Sequence, residues 1–212
     1  MKTATIGTLA LVAFASAAAH AQSSQPQWRQ MFDGKTLTGW KEAAFRNPGA
    51  LKVVDGAIML EHGNPLTGAN WVGGEFPKTN YELRFEAVRM KGNDFFASLT
   101  APSGESFFTF VTGGWGGDIV GVSNIDGWDA SENETRTYFN FEDERWYRFR
   151  LQVTPDQIQI WIDDERVINV KITGREVTLR PGPISLCKPF GFASYNSTGG
   201  IRKIEYRRLV TK

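Results

Sequence analysis

The chain has 212 residues, 24 basic against 23 acidic side chains, one cysteine (Cys187) and two histidines (His20 and His62). Charge that is balanced and interleaved argues against a nucleic-acid partner, which needs a basic patch. Only Arg202, Lys203, Arg207 and Arg208 cluster. A lone cysteine excludes an internal disulfide, and the sequence holds no CxxC or HExxH zinc pattern, GxSxG elbow or GxxxxGK[ST] phosphate loop. Any chemistry then falls to carboxylates, Lys, Tyr, or a metal held by oxygen ligands.

Residues 1–21 read as a secretory signal peptide. Lys2 precedes an apolar run from Ile6 to Ala19, and Ala19-His20-Ala21 has the small-x-small cleavage pattern. The run is too short for a membrane span of about 20 residues. Removing 21 of the 212 residues leaves 191, a single domain (22–212) expected to be secreted or periplasmic.

In the segment WRQMFDGKTLTGW (28–40), Trp28, Phe32, Leu37 and Trp40 are spaced to pin the chain onto the body of the fold. Asp55-Gly56 lies between the apolar runs 51–54 and 57–62, a strong hairpin signal. The Gly, Asn and Pro content of 63–70 predicts a loop. YELRFEAVR (81–89) alternates apolar and polar residues like a half-buried strand. Strands follow in FFASLT, ESFFTFVT (105–112) and IVGVS (119–123), with a turn at Pro102-Ser103-Gly104.

The longest hairpin is RWYRFRLQVTPDQIQIWIDDERVINV. Pairing Val153 with Ile158 sets Arg150 opposite Trp161 and gathers Trp146, Arg148, Arg150, Gln152, Gln157, Gln159 and Trp161 on one polar-aromatic face. That face is either a sugar platform or a set of exposed cation–π contacts. The last segment reads as three strands, with Cys187 in a buried strand and turns at Pro181-Gly182 and Thr198-Gly199-Gly200. No amphipathic helix, repeat or interior linker is evident. Ten to fourteen short strands with frequent turns predict an all-β, two-sheet antiparallel β-sandwich or jelly roll.

GGWGGDIVGVSNIDGWDASENE (113–134) has the composition of a carbohydrate surface, with six glycines, Trp115, Trp128 and five carboxylates. Glycine brings backbone close to a ligand, and indoles offer flat apolar faces with an N–H at the edge. Its other reading is a structured Ω-type loop whose tryptophans fill its own small core.

MFDGKTLTGW, the YELRFE strand, RWYRFRLQVTPDQIQIWIDDERV and the closing GFASY…IRKIEYRRL together resemble the 3-keto-disaccharide hydrolase domain family, over nearly the whole chain after residue 21. The resemblance implies a concanavalin A-like jelly roll linked to cleavage of 3-keto-glucosides. Two departures stand out: the glycine- and tryptophan-rich central loop, and FFASLT where the family usually has an NSGI turn. A ketone at C3 acidifies the C2 proton, so a base can form an enolate that expels the glycosidic oxygen from C1, after which water can add. Such a site needs a base, an electrophile at the C3 oxygen and an acid at the leaving oxygen.

The acids expected at strand ends beside tryptophans are Glu75, Asp94, Asp118, Asp129 and Glu134, with Trp71, Trp115, Trp128, Asn124, Arg150 and Trp161 as substrate-binding candidates. No cofactor is indicated. A divalent metal such as calcium is the alternative, although the loop lacks the D-x-[DN]-x-[DN]-G spacing. The nearest match to a glucanase acid pair, Glu82 and Glu86, would be about 13 Å apart at ~3.3 Å per residue, too far for the ~5 to 9.5 Å of glycosidase carboxylates. The expected partner is a carbohydrate, an oligosaccharide or 3-keto-glycoside, taken either by an enzyme or by a non-catalytic lectin-like module.

Overall fold

A computed structural model describes residues 26–210; the signal-peptide expectation lies outside the described residues. The described chain forms fifteen strands and one short 3-10 turn, Pro183–Cys187. The strands are β1 (Arg29–Gln30), β2 (Trp40–Glu42), β3 (Leu51–Val54), β4 (Ala57–Leu60), β5 (Leu66–Trp71), β6 (Tyr81–Gly92), β7 (Ser98–Ser103), β8 (Ser106–Gly114), β9 (Ile119–Ser123), β10 (Thr137–Tyr138), β11 (Trp146–Val153), β12 (Gln157–Ile162), β13 (Glu165–Lys171), β14 (Gly191–Tyr195) and β15 (Ser197–Arg208).

They build two antiparallel sheets. One is eight-stranded, ordered β13-β12-β11-β6-β15-β4-β3 with β1 added beside β15; the other is seven-stranded, ordered β10-β9-β8-β7-β14-β5-β2. The sheets pack face to face over one core in which Phe85 stacks on Phe149 at 5.0 Å and meets Phe192 edge-on at 4.9 Å. This is the expected two-sheet sandwich.

The local reasons are visible in the sequence. Asp55 and Gly56 both take positive φ (48° and 76°), the two-residue hairpin geometry that matches strand twist. Arg150 pairs with Trp161 and Val153 with Ile158, the register that the apolar alternation predicts.

Four segments depart from expectation. Residues 66–71, expected as loop, form β5, held between β14 and β2. Leu66 to Asn70 are all buried, so the strand lacks the alternation that marks a half-exposed one. Pro183–Cys187 is a 3-10 turn with Pro at its start, although Cys187 is buried as expected. Thr198-Gly199-Gly200 lies within β15, and the reversal falls at Asn196 (φ 46°). Pro102 and Ser103 continue β7, with Gly104 and Glu105 making the turn.

Candidate functional site

On the seven-stranded sheet Leu99, Phe108, Phe110, Val120, Val122 and Phe192 point into the core. By alternation Leu66, Thr109, Val111, Ser123 and Tyr195 point outward. That outer face is largely roofed over, because small residues let loops settle on it. A Cβ at Gly121 would come within 2.9 Å of Ala130, and one at Gly191 within 2.9 Å of the Cys187 carbonyl oxygen. The roof leaves open a cavity of about 330 Å³, whose lining includes those five outward residues together with Asp94, Trp115, Asp129, Arg180 and Ile184.

Asp129 is almost buried. Its Oδ1 accepts from the Ser123 hydroxyl and from its neighbour's N–H, Ala130 (2.8 Å), while its Oδ2 meets an Arg180 guanidinium nitrogen at 2.9 Å. The Arg180 guanidinium also lies 5.8 Å from the centre of the Trp115 ring. Among the described residues Asp94 has no ion-pair partner. Burial pushes its carboxyl above the usual range, opposed by N–H donors of Phe95, Gly116 and Trp115, the first at 2.8 Å. Its backbone is held from β15, where the Ser197 hydroxyl bonds to the Asp94 N–H and carbonyl. The Trp115–Gly117 turn that supplies two of these donors runs at positive φ throughout.

The stretch 113–134 is therefore the end of β8, a tight turn, the paired strand β9 and a roofing loop. In that loop Ile125 and Trp128 exchange both backbone hydrogen bonds around Asp126-Gly127, and the Asn133 side-chain amide donates to the Val122 and Trp128 carbonyls.

The cavity brings together three of the residues expected from sequence: Asp94, Asp129 and Trp115. Asn124 adjoins Ser123 but is buried outside the lining, its backbone N–H donating to the Thr178 carbonyl at 2.5 Å and its side-chain amide to the Gly127 carbonyl at 3.4 Å. Trp128 is 59% exposed on the roofing loop and is outside the lining. Glu134 is likewise outside, joined with Asp126 to Arg175, whose hydrogen bonds hold both carboxyls below their usual range. Asp118, in the turn before β9, and Glu75, in irregular chain after β5, are exposed and outside the lining. Trp71 packs edge-on against Trp40 at 5.4 Å and gives its indole N–H to the Gly74 carbonyl. Arg150 and Trp161 stack at 3.7 Å on the outer face of the other sheet.

Sequence reading passed over Arg180, Tyr195, Ser123 and Ile184. Arg180 carried a usable signal, a cation beside the rigid Pro181-Gly182-Pro183 run. Tyr195 and Ser123 close ordinary strands, and nothing local distinguishes them. Among the described residues no group of three or more His, Cys, Asp and Glu is placed to hold a metal ion, and no helix is long and apolar enough to cross a membrane.

The family model of a 3-keto-alpha-glucoside-1,2-lyase-like domain matches residues 27–189. No curated protein matches the chain. Among solved structures, a candidate glycosyl hydrolase from Parabacteroides distasonis is similar at TM-score 0.55 and 14% identity, over 86% of this chain and 94% of that one. Domain 4 of AbnA, a GH43 extracellular arabinanase from Geobacillus stearothermophilus in complex with arabinotriose, gives TM-score 0.55 at 12% identity, over 82% and 84%. A Bacillus licheniformis β-glucanase gives TM-score 0.55 at 10% identity, over 88% and 100%. At such identities the likeness is one of fold, a jelly roll shared by glycosyl hydrolases and carbohydrate-binding domains.

Proposed function

The chain belongs to the 3-keto-alpha-glucoside-1,2-lyase-like family, and from that premise we propose that it cleaves 3-keto-α-glucosides by elimination across C1 and C2 in the cavity on the seven-stranded sheet. The observation that carries this reading is the pairing, in one cavity, of a half-buried carboxyl with no ion pair among the described residues (Asp94) and a guanidinium fixed by a second carboxylate (Arg180 on Asp129).

In an α-glucoside chair the C2 hydrogen and the C1 oxygen are both axial and leave from opposite ring faces, so two separate protein groups must serve them. Asp94 takes the C2 proton. Its raised pKa makes it a stronger base than an ordinary aspartate and brings it nearer to the working pH. The C–H electron pair moves onto the C3 oxygen, where Arg180, oriented by Asp129, stabilises the enolate. Collapse of the enolate forms the C1=C2 bond and breaks C1–O. Tyr195, in the lining beside Phe95, gives its proton to the departing oxygen. The products are an enone and the free alcohol, and water addition to the enone completes a net hydrolysis.

Incubation with methyl 3-keto-α-glucoside, following methanol and enone by NMR, tests the reading. Asp94→Asn is expected to lower kcat at least ~100-fold, the scale of a lost general base. Asp118→Asn, exposed and outside the cavity, retains the wild-type rate. Equal rates for wild type and Asp94→Asn sink the assignment.

The second reading is a glycan-binding module, favoured by the exposed indoles of Trp115 (39%) and Trp128 (59%) on the same side of the molecule. It predicts binding of the 3-keto-glucoside without turnover.

A further inference from the structure

We infer that the cavity is two-ended and that its apolar end selects glycosides carrying an apolar or aromatic aglycone in preference to a second sugar. The inference rests on the elimination reading above and assigns the other half of the substrate.

The polarity of the lining is segregated along the sheet. Ser123 on β9, with Asp129 and Arg180 tied to it, marks one end. Leu66 on β5 marks the other, four strand spacings from β9, about 19 Å at ~4.8 Å per strand. Between the two ends come Asp94, which accepts from the N–H groups of both Trp115 and Phe95, and Tyr195 on β14, the groups assigned to C2 and the glycosidic oxygen. At that far end the side chains belong to a small apolar cluster separate from the main core. Phe95, Ile184 and Tyr195 pack, each half-buried, against Leu66, Phe45 and Ala193, and the Phe95 and Tyr195 rings lie 5.6 Å apart. Pro183 extends this wall.

The polar side chains of the lining are few and largely committed. Asp129 and Arg180 hold each other, Ser123 bonds Asp129, Thr109 pairs with Thr100 at 3.3 Å, and Asp94 and the Tyr195 hydroxyl are engaged at C2 and the glycosidic oxygen in the elimination. A volume of about 330 Å³ lies at the small end of the ~300 to 1,000 Å³ typical of ligand pockets. It suits one sugar ring and a compact second group. A second sugar placed against Phe95, Ile184 and Pro183 would lose water from hydroxyls that find no replacement there, and an unpaired buried polar group is costly. A benzyl-sized group would bury its faces on the same wall.

The test compares benzyl 3-keto-α-glucoside with 3-keto-trehalose. Benzyl alcohol is the poorer leaving group, so a preference for it cannot come from easier departure. The expected kcat/KM ratio is at least ~10 in favour of the benzyl glycoside, within the range one apolar contact supplies. Ile184→Asn, or the milder Ile184→Thr if the first folds poorly, is expected to bring that ratio several-fold closer to one. Equal use of the two substrates, or preference for 3-keto-trehalose, overturns the aglycone assignment while elimination stands. A ratio unmoved by both Ile184 variants overturns it as well. Turnover of neither substrate removes the elimination reading and this inference with it.

Discussion

Asp94 shows how one side chain acquires chemistry from its surroundings. Burial raises its pKa while three backbone N–H groups restrain the rise, so it is a carboxyl that ionises late but is held in place when it does. Raised folded-state pKa means that the native state binds the proton more tightly than the unfolded chain. The stabilising contribution is complete below the ordinary carboxylate range and is lost as pH climbs through the folded value. Asparagine cannot ionise and escapes that loss. The melting temperature of Asp94→Asn relative to wild type is therefore expected to rise between pH 3 and pH 7, even as activity disappears. A difference that stays flat or falls over that interval, measured by thermal unfolding at both pH values, contradicts the stated cause. Cys187 stands in contrast, since burial pushes its thiol up to about 12, out of the range of a nucleophile.

Among the elements, the roofing loop and the segment after β13 define the candidate site jointly, since one carries Asp129 and the other Arg180. Backbone pairing of Asn124 with Thr178 joins them, and so does Arg175, which reaches both Asp126 and Glu134 at 2.5 Å. These are partly exposed ion pairs, each worth only about 0 to 1 kcal/mol, so their value is in placement. Arg175→Gln is expected to lower kcat/KM on the order of tenfold, as small displacements of catalytic groups do, with a shift in melting temperature of only a few degrees. A large loss of stability with unchanged kcat/KM in the folded protein would assign Arg175 to stability alone. The two carboxyls are held below their usual range, so their stabilisation is present above it and fades as pH drops through the lowered values.

Legibility in the sequence also divides at this scale. Long hairpins such as β11–β12 were readable to the residue, because each strand has one wet and one dry face. β5 was unreadable because both of its faces are covered and its small residues mimic a loop. Of the residues lining the candidate cavity, Asp94, Asp129 and Trp115 stand out in the sequence by their glycine- and aromatic-rich turns. It could not bring Arg180 to Asp129 across 51 positions, because that contact depends on how two loops cross the sheet.

For the molecule as a whole, the two outer faces of the sandwich have opposite characters. The seven-stranded sheet is roofed and hollow, whereas the eight-stranded sheet closes its surface with stacked indoles and ion pairs. Trp28 lies under Arg84 and Arg207 at 4.0 and 4.7 Å, Trp146 under Arg202 at 3.9 Å and Trp161 under Arg150 at 3.7 Å. Glu82, on β6 and only 2% exposed, sits between Arg150 (3.2 Å) and Arg207 (2.7 Å). Such a face has its polar groups already satisfied, and it works as a brace for β6, β11 and β15. Removing the shared carboxylate leaves two guanidinium groups facing each other over partly desolvated ground. Glu82→Ala is accordingly expected to cost about 3 kcal/mol, the low end for breaking a buried pair, because both arginines retain some contact with water. The cavity opens on the far sheet, about 10 Å of core away. Turnover per folded molecule, measured well below the melting point, should consequently stay within about twofold of wild type. Urea unfolding reads the first quantity and enone release the second. A collapse of turnover in a variant that remains folded would mean that the braced face takes part in the chemistry, and the division of labour between the two sheets would fall.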